Sequence, residues 1–161
     1  MRCAGSSTSS LVICESTNMK RFQYPVLLTA AKEGGYVVTC RDLTQLITQG
    51  ENEQNALEHA TDAMDEVFAT YMIEGIDFPA PSKEKRREHL VAPPAETMAK
   101  AALYVAMREA GISKMQLAKQ LGVDEKEVRR MLDPHYRSKL PRIAHAVSLL
   151  GQRLVIGLEP A

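Results

Sequence analysis

Apolar and β-branched residues are concentrated in three short runs near the start of the chain. These runs predict β-strands at residues 22–30, 36–40 and 46–50. Gly34 and Gly35 lie between the first two runs and can adopt positive φ without steric cost. The first two strands are therefore expected to form a hairpin.

The next segment, residues 53–73, carries apolar residues at spacings of three and four, which is typical of an amphipathic helix. The apolar stripe consists of Leu57, Ala60, Met64, Val67, Phe68 and Tyr71. The opposite, acidic face consists of Glu58, Asp62, Asp65 and Glu66. Asn52 is expected to cap the helix and Gly75 to follow its last turn. A three- or four-stranded antiparallel sheet covered by one helix is a small α+β domain.

The rest of the chain predicts a linker and then an all-α domain with a terminal strand. Residues 76–94 are Pro-rich and then charged, and residues 89–92 within them are a candidate edge strand. Helical pattern then runs from Ala95 to about residue 150, and residues 153–158 resemble a last strand. The predicted organisation is a disordered tail (1–18), an α+β domain (19–78), a linker (79–94) and a helical domain (95–161).

Residues 116–132 favour a helix-turn-helix within the helical domain. Ala118 is small enough for two helices to cross closely, and Gly122 can end the first helix in a left-handed conformation. Ser113 is the expected N-cap of that first helix. Val123 is expected to fill the gap beneath the turn and Asp124 to cap the second helix. A helical hairpin in a protein-binding bundle is the alternative.

In a helix-turn-helix, the N-terminal residues of the second helix meet base edges in the major groove. Lys126 and Glu127 are the expected base readers, and Arg129 or Arg130 would contact guanine or phosphate. Glu125 points outward on the same face, where both glutamates would repel phosphates. The candidates for phosphate contacts are Lys114, Gln116, Arg137 and Lys139. For Arg137, Lys139 and Arg142, the alternative is a solvated basic face.

The net charge is zero, but acidic and basic residues are segregated along the chain. Residues 19–82 contain four basic and ten acidic residues, a net charge of −6. Residues 95–161 contain eleven basic and seven acidic residues, a net charge of +4. This asymmetry predicts two modules with different partners.

Several classes of function are disfavoured. The three cysteines show no CxxC spacing, so neither a disulfide framework nor a zinc site is expected, and a reducing, cytoplasmic setting fits best. No apolar run approaches the roughly 20 residues of a membrane span. The four histidines lack metal-ligand spacing. Asp42, Glu58 and Asp62 could be nominated for Mg²⁺-dependent catalysis, but a loop carboxylate and two solvent-side helix carboxylates do not converge. We therefore expect no enzyme activity, no metal and no cofactor.

Two segments resemble a known family in the same order along the chain. YPVLLTAAKEGGYVVTCRDLTQLITQGENEQNALEHATDAM resembles the N-terminal domain of HicB-type antitoxins, and SKMQLAKQLGVDEKEVRRML is similar to the helix-turn-helix of one HicB subgroup. The resemblance covers residues 22–158. Thr44 and Gln45 stand where the family usually has Pro-Gly.

The resemblance implies that the N-terminal domain has a truncated ribonuclease-H-like fold and neutralises a HicA-type toxin, an mRNA-cleaving ribonuclease. It also implies that the second domain represses the operon by binding operator DNA. Such a protein is expected to be a homodimer or a higher even oligomer, with residues 142–151 and 153–158 as candidate dimer elements. The acidic charge of residues 19–82 suits a cationic, RNA-binding toxin.

The candidate toxin-binding residues are Glu33, Tyr36, Asp42, Glu51, Glu58, Asp62 and Asp65. The alternative is a stand-alone helix-turn-helix regulator whose N-terminal domain senses a small ligand, which a deep apolar pocket in residues 22–78 would favour.

Overall fold

The computed structural model describes residues 19–157. The predicted disordered tail, with Cys3 and Cys14, lies outside these residues, as does Leu158 at the end of the predicted terminal strand. The described chain forms an antiparallel sheet covered by a helix, followed by four further helices. The expectation of an α+β fold is confirmed at this level.

Four strands form one antiparallel sheet: β1 (Tyr24–Ala30), β2 (Tyr36–Cys40), β3 (Ile47–Gly50) and β4 (Glu88–Val91). Their order across the sheet is β3-β2-β1-β4. The predicted hairpin and third strand are confirmed with small shifts at their ends. The candidate edge strand is also confirmed, because β4 pairs with the free side of β1.

Helix α1 (Glu53–Glu74) has the ends that the sequence predicted. The Asn52 side chain accepts a hydrogen bond from the backbone N–H of Asn55 at 2.9 Å. Gly75 closes the last turn in a left-handed conformation, with φ of 75°. The predicted apolar stripe faces the sheet, with Leu57 partly buried and its other members buried.

The remaining helices are α2 (Ala95–Ala110), α3 (Lys114–Leu121), α4 (Glu125–Leu132) and α5 (Leu140–Leu149). The predicted strand at 153–158 is wrong for the described residues 153–157, which form neither strand nor helix. Val155 and Ile156 give this segment a strand-like pattern, but they are 55% and 73% exposed. A strand needs a hydrogen-bonding neighbour, and no described strand pairs with this segment.

The buried side chains form two clusters that meet at Phe78. The sheet-side cluster includes Val26, Val38 and Phe68, and the helical cluster includes Leu103, Leu117 and Val128. Phe78 follows α1 and packs against both clusters.

The segment between α1 and β4 lies against the sheet rather than hanging free. The Tyr24 hydroxyl donates to the carbonyl of Pro79 at 2.7 Å, and Asp42 accepts from the backbone and the hydroxyl of Ser82. None of the described helices combines the length and apolar character that a membrane span requires.

Candidate interaction surfaces

Four of the predicted partner-binding residues are exposed at or near one end of the sheet. Tyr36 pairs with Gly50, which brings the hairpin turn containing Glu33 beside the start of α1. Glu33, Glu51, Glu58 and Asp62 are all exposed. The order of the strands therefore gathers carboxylates from the turn, the end of β3 and the first turns of α1.

A shallow depression of about 540 Å³ lies on this side of α1. It is lined by Glu53, Gln54, Leu57, Glu58 and Thr61. The depression is open to solvent and bordered by carboxylates. It is therefore not the deep apolar pocket that a small-ligand sensor would require.

The other three predicted residues have partners elsewhere in the fold, whereas Glu58 accepts a hydrogen bond from Gln54 on its own helix at 3.2 Å. Asp42 accepts from Ser82 N at 2.9 Å and from Ser82 Oγ at 2.6 Å, while Asp65 accepts from Thr97 Oγ1 at 2.5 Å. Tyr36 packs on the sheet-side cluster. Neither side-chain pairing was readable from local sequence, because each partner lies more than 30 residues away.

Helices α3 and α4 form the compact pair expected from residues 116–132. Ser113 and Gln116 form a reciprocal capping box at the start of α3, and Gly122 ends α3 with φ of 66°. Leu117, Ala118 and Val128 are buried between the helices and their neighbours.

Two details of this turn differ from the prediction. Val123 is 37% exposed, so its side chain does not fill a gap beneath the turn. Its N–H bonds Ala118 O at 3.0 Å and so continues the cap of α3. Asp124 stands at the N-cap position of α4, but its side chain makes no capping hydrogen bond. The buried anchors of α4 are Val128, Met131 and Leu132 instead.

Ion pairs occupy most of the charged side chains on the outer face of α4. Glu125 pairs with Arg129 at 2.7 Å, whereas Glu127 pairs with both Arg130 and Arg142. Arg142 lies on α5 and was not among the residues predicted to bind DNA, since only the packing of α5 beside α4 brings it there. Lys126 is exposed and has no ion-pair partner among residues 19–157.

A buried lysine organises the loop between α4 and α5, which carries Arg137 and Lys139. Lys100 is 1% exposed, and its Nζ donates to the carbonyls of Asp133 at 2.8 Å, Pro134 at 3.3 Å and Tyr136. The loop is thereby fixed, while Arg137 and Lys139 remain exposed. Sequence reasoning missed Lys100, because its partners are distant backbone atoms that no residue pattern encodes.

The phosphate-contact candidates at the start of α3 are also exposed. Lys114 is the first residue of the helix. Gln116 uses its side-chain oxygen to accept from Ser113 N at 2.8 Å, so only its amide N–H groups are available to a ligand. No group of three or more His, Cys, Asp or Glu side chains suited to a metal ion occurs in the described part of the chain.

Comparison with known proteins places this architecture in a family. Residues 23–102 match the family described as HicB_like antitoxin of bacterial toxin-antitoxin system. The chain is 33% identical over 132 residues to Antitoxin HicB of Escherichia coli K12. The aligned region covers 82% of this chain and 96% of that relative. The chain belongs to the HicB-like antitoxin family.

Two other HicB proteins extend the comparison. Antitoxin HicB 1 of Photorhabdus laumondii is 29% identical over 141 residues, covering 88% of this chain and 90% of the relative. Antitoxin HicB of Pseudomonas fluorescens is 29% identical over 141 residues, covering 87% and 96% respectively. Matches of this length extend well past residue 102, so the HicB likeness includes α3 and α4. The protein is thus an antitoxin of a toxin–antitoxin system.

Proposed function

We propose that this HicB-family antitoxin neutralises a HicA-type ribonuclease toxin and represses its own operon as a DNA-binding dimer or higher even oligomer. Residues 19–78 bind the toxin, residues 79–94 supply β4 to the sheet and connect the two domains, and residues 95–161 bind operator DNA. The protein acts in the cytoplasm, by binding and without a cofactor. The observation that carries the proposal is the segregation of exposed carboxylates around α1 from exposed cations around α4.

Toxin binding is assigned to the acidic end of the sheet. Glu58 and Asp62 are one turn apart on the exposed face of α1, and Glu33 and Glu51 lie toward its start. A toxin that cleaves RNA must present cations to phosphates, so these carboxylates complement it and accelerate the encounter. Asp42, Asp65 and Tyr36 contribute indirectly, by holding the surface in shape.

Charge reversal tests this assignment in the full chain. We expect the double substitution Glu58→Lys with Asp62→Lys to abolish rescue of growth when the cognate HicA-type toxin is co-expressed, because two attractive contacts become repulsive. The charge-matched control is Glu74→Lys with Glu84→Lys, at the far end of α1 and in the segment before β4, where both side chains are exposed. Full rescue by the Glu58→Lys and Asp62→Lys variant, with normal folding by circular dichroism, would contradict the assignment.

DNA binding is assigned to α3, α4 and the loop that follows. The two helices join at Gly122 as a helix-turn-helix requires, and Lys126 projects from the first turn of the second helix. Lys126 would read a base edge, while Lys114, Arg137 and Lys139 would contact phosphates. Because such modules read two half-sites, a second copy is required. Leu149 of α5 and Val155 and Ile156 beyond it, which are 41%, 55% and 73% exposed, are the proposed dimer contacts.

Binding to the promoter of its own operon tests the second half of the proposal. We expect Lys126→Ala to weaken binding to the promoter and reduce discrimination against a scrambled duplex. Lys139→Ala should lower the slope of log affinity against log salt by about 0.9. Lys32→Ala, in the hairpin turn, is the charge-matched control. Wild-type affinity and slope in both variants would reject this surface.

A further inference from the structure

The carboxylate of Glu127 lies between two arginines that come from different helices. Its Oε2 is 3.5 Å from Nη1 of Arg130, and its Oε1 bonds Nη1 of Arg142. Arg130 is on the same helix, three residues away, whereas Arg142 reaches Glu127 from α5. The side chain of Glu127 is 27% exposed, compared with 42% for Arg130 and 59% for Arg142. The acid is therefore the more enclosed member of the group.

These three residues line an open depression of about 480 Å³ at the start of α4. Lys126 and the turn Gly122–Asp124 complete its lining. Guanidinium groups bind phosphate oxygens as they bind carboxylate oxygens, and each arginine here contacts Glu127 through one nitrogen. Glu127 thus occupies, with respect to Arg130 and Arg142, the place of a phosphate group.

The neighbouring pair on α4 is arranged differently. Glu125 and Arg129 are four residues apart on one helix, so this pair requires no contact with α5. Around Glu127, the pair with Arg142 is tertiary, and one carboxylate is shared by two cations that both remain partly exposed. Among the described residues of the outer face of α4, Lys126 keeps an unpaired charge.

We propose that Glu127 is an intramolecular counter-ion that suppresses sequence-independent DNA binding by Arg130 and Arg142. DNA phosphates must displace its carboxylate before either arginine can bind them. Exposed ion pairs are weak. A duplex whose base edges also accept a hydrogen bond from Lys126 therefore displaces the carboxylate, whereas a duplex that offers Lys126 no such acceptor binds less favourably. Glu127 is then a specificity-determining residue rather than a base reader. This inference rests on the proposed DNA-binding function.

The test compares wild type with Glu127→Gln on two duplexes: the promoter of its own operon and a scrambled duplex of equal length and composition. Glutamine preserves size and removes the negative charge. We expect affinity for the scrambled duplex to rise roughly three- to tenfold, and the slope of log affinity against log salt to steepen by about 0.9 for each additional phosphate that the arginines neutralise. Adding Arg142→Gln should remove one such increment.

The charge-matched control is Glu74→Gln, which changes net charge equally at the end of α1. It should leave both the affinity and the slope on the scrambled duplex unchanged. An equal rise in both variants would show a net-charge effect and overturn the inference. Thermal unfolding of the two variants checks that each remains folded.

The remaining outcomes separate this inference from the proposed function. An unchanged slope for Glu127→Gln would overturn the counter-ion role even if wild type binds its promoter. Loss of promoter affinity without tighter binding to the scrambled duplex would show that Glu127 accepts a hydrogen bond from a base, and would also overturn it. If wild type binds the two duplexes equally well, the proposed function as a repressor is wrong. The comparison of salt slopes still decides whether Glu127 masks the arginines.

Discussion

At the scale of single residues, Lys100 and Glu96 show how a helix can organise a distant loop. Both lie near the start of α2, one turn apart, with Lys100 Nζ 3.4 Å from Glu96 Oε1. Lys100 donates to backbone carbonyls of the loop before α5, and Glu96 accepts from the backbone N–H of Ser138 at 2.9 Å. The loop that carries the proposed phosphate contacts is therefore held by side chains from another helix.

The pH dependence of stability should report the contacts of Glu96. The Ser138 amide, and then Lys100, lower the pKa of Glu96 below its ordinary value of 4.5. Folding thus favours the ionised form, so its stabilisation is present above pH 4.5 and is lost as the pH falls through the lowered pKa. We expect Glu96→Gln to cost about 1 kcal/mol or less at pH 7, because the side chain is 44% exposed.

Urea unfolding at pH 7 and at pH 3 measures this difference. The gap between wild type and Glu96→Gln should narrow in acid. Glu84→Gln, an exposed change in the segment before β4, is the control and should show little difference at either pH. A gap of constant size would mean that the carboxylate charge contributes nothing.

Single residues were also where sequence reasoning was least complete. Ser113, Ala118 and Gly122 were assigned correctly, because capping and close helix crossing depend on local residue types. Val123 was misassigned, since its exposure depends on how neighbouring helices pack. The loop contacts of Lys100 carried no signal, because Asp133 lies 33 residues away in sequence. Arg142 was assigned only to a basic face, because its partner Glu127 lies 15 residues away.

At the scale of elements, the junction between β3 and α1 is the tightest point of the sheet-side fold. Gly50 ends β3 directly beneath the first turns of α1. A Cβ added there would lie 2.4 Å from the backbone N of Ala56 and 2.5 Å from its Cα. Both are backbone atoms, so the helix itself would have to move.

Gly50→Ala should therefore lower the free energy of unfolding by about 2–3 kcal/mol, the cost of overpacking a well-packed site. Urea titration followed by circular dichroism measures the change. Gly157→Ala is the matched control, because a Cβ there meets nothing within 4 Å. Equal stability of the two variants would show that α1 can shift away from β3 at little cost.

The elements themselves were largely predictable, because alternation and helical spacing are local patterns. The short strand β4 was found inside a segment otherwise typical of a linker, since HLVA is apolar between charged and Pro-rich flanks. The same reasoning failed at residues 153–157. An apolar run indicates a strand only when a neighbouring strand is present to pair with it.

At the scale of the whole molecule, one aromatic side chain joins the two clusters. The Phe78 ring centroid lies 4.6 Å from that of Phe68, 5.6 Å from Tyr71 and 5.8 Å from Phe22. On the other side it lies 5.8 Å from the ring of Tyr104 on α2. The segment between α1 and β4 is therefore also the contact between the sheet and the helices.

Phe78→Ala should cost about 3 kcal/mol, since truncating a packed aromatic removes its apolar contacts and leaves a cavity. We also expect the urea transition to broaden, because the two clusters lose their shared side chain. Ile73→Ala, at a 66% exposed position on α1, serves as the control and should change stability little. A Phe78→Ala variant no less stable than this control would show that the clusters do not depend on the ring.

The segregation of charge was visible in the sequence, but the contacts between the two halves were not. Asp65 looked available on the solvent side of α1, yet α2 packs beside it and Thr97 donates to it. Composition gives the charge of a segment. Which carboxylates remain exposed depends on what packs over them, as Glu58 and Asp62 illustrate by contrast with Asp65.

The pairing of β4 with β1 has a consequence for where this protein can be cut. Val26 is opposite His89 and Tyr24 is opposite Val91. The outer edge of β1 is therefore covered by β4, which follows α1 in the chain. A fragment ending at residue 82 would keep the acidic helix but expose the backbone amides and carbonyls along this side of β1. Such an open edge is a template for pairing with other chains, so a truncated antitoxin of this kind should self-associate unless the fragment extends through Val91.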